Sequence, residues 1–195
     1  CDAPTMVRLQ EQEWFGLCAI PEQPFRPWES VRGDSATRRS EGYAISSSVS
    51  FTAASMPTAA YATADAPRLS LLAQLMNDTV LHRALREQGG AYGGGASSNS
   101  MAALFSFYSY KDPNLFSTLR TYELACAFIE SGSFDERALE EAKLGVLQDM
   151  DSPIAPGSRA EVAYSWHQAG KTQAVRQHFR DRLMAATKEE ITALI

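Results

Sequence analysis

The stretch from Ala66 to Gly95 constrains the fold more than any other part of the chain. Leu69, Leu72, Leu75, Met76, Thr79, Val80 and Leu85 recur near helical spacing, with Asp65 and Pro67 as a start signal. Gly89 and Gly90 then stop the pattern. The spacing predicts one long helix from about Ala66 to about Gln88, running directly into Gly-Gly-Ala-Tyr-Gly-Gly-Gly. Five glycines in seven positions, Gly89, Gly90, Gly93, Gly94 and Gly95, cannot continue a helix. They form a segment with almost no side-chain bulk, which another backbone can approach closely.

Around this junction the elements segregate. The alternation in YAISSSVSF predicts a strand near 44–51, and a second extended piece is expected through Ala59–Thr63. After the glycines, strands are expected near 91–97 and 101–109, with a turn near Ser98–Ser100. Asp112-Pro113 then starts a helix to about Ser131. Ser133 with Glu136, and Thr187 with Glu190, have the capping-box spacing for two more helices. Helical stretches are also expected over 158–169 and 171–186. Strands followed by a run of helices predict an α+β fold with a largely antiparallel sheet, not a parallel sheet with crossovers.

Residues 1–40 are a different kind of segment. Trp14–Ile20 reads as a buried strand, and the Pro-, Gly-, Ser- and Arg-rich stretch after it reads as a connection. The expected division is therefore 1–40 as a divergent N-terminal segment and 41–195 as the main domain. A net charge of −5 argues against a nucleic-acid partner, and Arg32, Arg38 and Arg39 read as a solvated loop. No apolar run is long enough to cross a membrane, and no membrane partner is expected. Three cysteines without a CxxC pair argue against a zinc ribbon or a thioredoxin-like redox site; Cys126 reads as a buried free thiol, which suits a reducing compartment.

The chemistry-bearing residues are few. His82, His167 and His178 belong to neither H-E-x-x-H nor H-x-x-E-H, so no metal site is expected in this chain. His178 and Asp181 share a helical face but supply only two ligands. The glycine-rich loop matches no phosphate motif, and it follows a helix rather than preceding one, so it meets the negative end of the dipole. Arg86, in the last helical turn, and Tyr92, just past the first glycines, admit two readings. They grip an extended peptide with a planar donor array and a hydroxyl. Alternatively, Arg86 serves the helix dipole, Tyr92 packs, and the glycines make a cap and a bulge.

LHRALREQGGAYGGG followed by FSFYSYKDPN resembles the last domain of presequence proteases and falcilysin-like enzymes, within the insulinase and pitrilysin family of zinc peptidases. The likeness runs from about Glu41 to the C-terminus. It implies a LuxS/pitrilysin-like metallopeptidase half-domain and a complete enzyme that encloses unfolded peptides in a clam-like chamber. The N-terminal half would bind the zinc and supply the general base. The C-terminal half would bring an Arg and a Tyr to the substrate, by position Arg86 and Tyr92, beside the glycine backbone of 89–95. The implied partners are peptide substrate and the N-terminal half, in a bacterial cytoplasm or an organellar matrix. With zinc expected upstream, the fragment alone should be inactive. A non-catalytic scaffold or pairing subunit of the same family is the alternative, and an upstream H-x-x-E-H separates the two.

Overall fold

The helix predicted from Ala66 forms, and the core is organised on it. In the computed structural model, which describes residues 2–22 and 40–195, α2 spans Ala66–Met76 and continues as a π-helical segment over Asn77–Gln88. Leu71, Leu75, Met76 and Leu81 are fully buried along this rod. Each contributes roughly 1.5–3 kcal/mol by leaving water. The change in winding has a local contribution. Asn77, Asp78, Thr79 and Val80 are poor helix formers, and the Thr79 hydroxyl donates to the Leu75 carbonyl at 2.6 Å, competing with backbone amides. Asp65 does not cap α2 with its side chain as expected; it is paired with Arg68 at 2.9 Å instead.

Three strands form one sheet in the order β1-β3-β2: β1 Ser50–Pro57, β2 Gly93–Asn99 and β3 Leu104–Asp112. Both pairings are antiparallel, with Ala53 opposite Tyr108 and Gly95 opposite that same tyrosine. The predicted strand near 44–51 is displaced. Ser50 is opposite Asp112, the last residue of β3, and Pro113 beyond it has no amide to donate. Residues 44–49 therefore lack a partner strand among the described residues, while β1 extends to Pro57 opposite Leu104. The turn between β2 and β3 also comes later than expected, over 100–103, where Ala103 takes φ 51° and the Asn99 side chain accepts from the Ala102 amide. The extended piece expected at 59–63 is a turn, with the Thr63 amide bonded to the Ala60 carbonyl.

Four longer helices, α3 Leu115–Glu130, α4 Glu136–Met150, α5 Arg159–Gln168 and α6 Gln173–Ala185, are followed by the short α7, Lys188–Thr192. The rod packs on β2 and on α3, α4, α6 and α7. Thr187 and Glu190 form the expected capping box. Ser133 and Glu136 do not. Phe134 is buried, Ser133 bonds to Ser131, and Asp135 caps α4 by accepting from the Ala138 amide at 2.8 Å. A buried polar chain fixes α3 to the sheet: Thr52 Oγ1 lies 2.8 Å from Ser109 Oγ and 2.7 Å from Tyr122 Oη. Burial pushes the Tyr122 phenol up from its ordinary range.

Cys126 is half-buried on α3, packed against the core, and burial pushes its thiol up, with Glu123 and Glu130 adding to the effect. Cys18 is exposed. An alkylating reagent followed by mass spectrometry should therefore label Cys18 rapidly and Cys126 slowly in the folded chain, with the difference lost in denaturant.

The described residues before Ile45 form a unit of their own. In it, Asp2 caps α1, Ala3–Glu11, and a 3-10 helix covers Glu13–Ala19. The strand expected at 14–20 is thus not formed. Glu13 and Gly16 take φ 49° and 82°, which break an extended run, and Leu17 and Ile20 are exposed. Arg32, Arg38, Arg39 and most of the predicted connection lie outside the described residues.

Candidate substrate-contact site

The Arg86–Tyr92 segment is built by the end of the rod. Gly90 takes φ 75°, the left-handed value that lets the chain leave a helix. Its amide donates to the Arg86 carbonyl at 3.2 Å, and the Ala91 amide donates to the Leu85 carbonyl at 2.9 Å. Arg86 and Tyr92 thus flank one hydrogen-bonded turn. Arg86 is exposed and makes no ion pair or side-chain hydrogen bond among the described residues. Tyr92 is 64% exposed, and its hydroxyl likewise has no partner among the described residues. His82 on the same segment lies 3.6 Å from Glu87, five residues on, as π winding allows.

The turn is braced by the end of the sheet. Asn114 Nδ2 donates to the Gly89 carbonyl at 2.5 Å, and the Tyr92 amide donates to the Lys111 carbonyl at 3.3 Å. Lys111 takes φ 49°, and its ammonium lies 4.9 Å from the centre of the Tyr92 ring. Tyr110 packs on Tyr92 at 5.7 Å between ring centres. Beneath them Asp112 is fully buried; its carboxylate accepts from the Asn114 amide at 2.8 Å and from Thr118 Oγ1 at 2.5 Å. Lys111, Asp112 and Asn114 therefore hold this turn, and none of them stood out in the sequence. Their signal was the Lys-Asp-Pro-Asn run itself, since Asp and Asn beside a Pro bond back to nearby backbone.

Gly93, Gly94 and Gly95 make room for side chains of this chain. A Cβ on Gly93 would collide with the hydroxyl end of the Tyr110 ring. One on Gly94 would lie 2.8 Å from the Tyr108 carbonyl and 3.0 Å from Leu85 Cδ1. One on Gly95 would lie 2.5 Å from Asn77 Oδ1. Asn77 in turn clamps the free edge of β2, accepting from the Ala96 amide at 2.7 Å and donating to the Ala96 carbonyl at 2.9 Å. Absent side chains thus let the rod, β2 and the Tyr110 ring close on one another.

The histidines do not gather metal ligands around them among the described residues. His178 Nε2 accepts from Arg182 at 2.7 Å, and Asp181 is bonded to Gln177, so the two do not converge. No three His, Cys, Asp or Glu side chains could hold a metal ion among the described residues. A zinc ion does not fit them. No helix among the described residues is long and apolar enough to cross a membrane.

The family model described as the PreP C-terminal domain matches residues 46–194. The mitochondrial presequence protease of Xenopus tropicalis is 38% identical over 150 residues, which cover 77% of this chain and 14% of that protein. Its counterpart from Emericella nidulans is 30% identical over 181 residues, 92% of this chain and 17% of that protein. The chain therefore spans a small part of these relatives' length. Among solved structures, the inactive peptidase domain of a candidate zinc protease from Bordetella parapertussis superposes with a TM-score of 0.60 at 23% identity, over 73% of this chain and 82% of that one. This likeness concerns the fold.

Proposed function

The chain belongs to the family of presequence-protease C-terminal domains, and on that premise we propose that residues from about 41 onward form the substrate-gripping domain of a zinc-dependent endopeptidase acting on unfolded peptides. The observation that carries this reading is the state of Arg86 and Tyr92. Both are exposed, both have free donors among the described residues, and both flank a turn held by Asn114, Lys111 and the buried Asp112. Preorganised donors of this kind act most strongly on charge that develops in a transition state. The Tyr92 hydroxyl would donate to the oxygen of the carbonyl under attack. Arg86 would hold neighbouring peptide carbonyls with its planar donor array. The peptide would run past Gly89 and Gly90, where no side chain obstructs it, while Gly93, Gly94 and Gly95 keep the turn in place.

In this reading the zinc and its general base belong to the N-terminal half of the complete enzyme, which closes over the peptide with this domain. A mitochondrial matrix or an equivalent bacterial compartment is the proposed location, by analogy with the named relatives. The test compares two preparations. The complete protein should cleave an unfolded peptide in a chelator-sensitive way, and the 195-residue chain alone should neither cleave it nor retain stoichiometric zinc. Cleavage by the chain alone would overturn the division of labour. Absence of cleavage by the complete protein would favour a non-catalytic pairing subunit.

A further inference from the structure

Remote in sequence from the glycine turn, a cleft of about 540 Å³ opens between α4, α5, α6 and the turn at Tyr61. Three cationic side chains, Lys171, Arg176 and Arg180, line it, against two carboxylates, Asp149 and Asp151. Arg180 is already paired with Asp151. Lys171 and Arg176 have no ion pair among the described residues. Each is held over an aromatic face instead: Lys171 Nζ lies 3.9 Å from the centre of the Tyr61 ring, and the Arg176 guanidinium carbon 3.9 Å from that of Trp166. Tyr61 is itself stacked on Phe179 at 4.7 Å, so this wall is fixed. Arg176 Nε is buried without a hydrogen-bond partner among the described residues.

We propose that this cleft is a binding site for an oxyanion group, a carboxylate or a phosphate, held between Lys171 and Arg176. Two like charges in one cleft repel each other, and aromatic faces offset only part of that. The repulsion and partial burial together push the Lys171 ammonium down from its ordinary range, burial first and Arg176 second. A buried guanidinium N–H with no acceptor is costly, and with one cation in excess of the carboxylates lining the cleft an anion supplies the missing charge. The rings provide a flat apolar wall beside the anion. The Arg86–Tyr92 turn contributes no residue to the cleft, so this inference does not depend on the peptidase reading.

The experiment is titration calorimetry of the chain with inorganic phosphate and, separately, with citrate, at low and raised salt. The expected result is saturable one-to-one binding of at least one probe, weakened by salt, and at least roughly tenfold weaker in Lys171→Gln and in Arg176→Gln. Phosphate binding alone assigns a phosphate ligand; citrate binding alone assigns a carboxylate. Neither probe binding at about 10 mM, or binding unchanged in both variants, overturns the site. Should a variant unfold, the unaltered chain carries the test by NMR. Probe-induced shifts at the Trp166 indole and the Lys171 and Arg176 side chains support the site, and shifts confined to other residues overturn it.

Discussion

Replacing Tyr92 with Phe in the complete enzyme is expected to lower kcat by roughly 10²-fold while leaving stability almost unchanged. The asymmetry follows from the geometry. The ring keeps its contacts with Tyr110 and the Lys111 ammonium, and the hydroxyl that is lost bonds to nothing among the described residues. Removing it therefore costs the fold little, and on the proposed reading it removes one oxyanion donor. Arg86→Ala should weaken peptide binding and slow turnover together, because the guanidinium supplies several donors and a charge. Its stability loss should stay within the roughly 0.3–1 kcal/mol of a helix-dipole partner. If Tyr92 only packs and Arg86 only serves the dipole, kcat/KM is unchanged in both. Steady-state kinetics beside thermal melts distinguish these outcomes.

Leu85→Ala is expected to destabilise residues 45–195 by about 2–5 kcal/mol, measured by urea unfolding. Leu85 is 1% exposed, in the last turns of the rod, and its Cδ1 lies close against Gly94. The cavity has little freedom to collapse. On one side β2 is clamped by Asn77, and the Leu85 carbonyl is bonded to the Ala91 amide. The same side chain fixes the spacing between Arg86 and the strand that begins at Gly93. In the complete enzyme, the variant should therefore lose activity at temperatures where it is still folded. A loss below about 1 kcal/mol would mean that the rod and β2 are not packed as described.

Much of the fold was legible because apolar spacing and breaker residues agree. The rod from Ala66 to Gln88, its stop at Gly89-Gly90 and the Thr187–Glu190 box are local signals, and all appear. The displaced strand at 44–51 was not legible, since the length of β1 is set by its partner: β3 ends at Asp112, where Pro113 stops the ladder. The strand expected at 14–20 failed because Glu13 and Gly16 turn the backbone, a conformational choice that hydrophobicity does not encode. The π winding was hidden for a similar reason. Asn77 spends its side chain on Ala96, nineteen residues away, and no helical pattern reveals that.

At the proposed site, Arg86 and Tyr92 were legible as residue types and as a resemblance. Their bracing was not. Lys111, Asp112 and Asn114 act through contacts that exist only once β3 returns beside the glycine turn. The glycines carried two meanings at once. Gly90 serves the turn, as its positive φ requires, whereas Gly93–Gly95 admit the Tyr110 ring, Leu85 and Asn77.

The most direct measurement is the structure of the complete enzyme, catalytically disabled, with an unfolded peptide bound. A peptide carbonyl oxygen is expected within hydrogen-bonding distance of the Tyr92 hydroxyl, about 2.5–3.0 Å, with a second carbonyl held by the Arg86 guanidinium. A bound peptide that leaves both side chains in solvent, with Tyr92 touching only Tyr110 and Lys111, would contradict it.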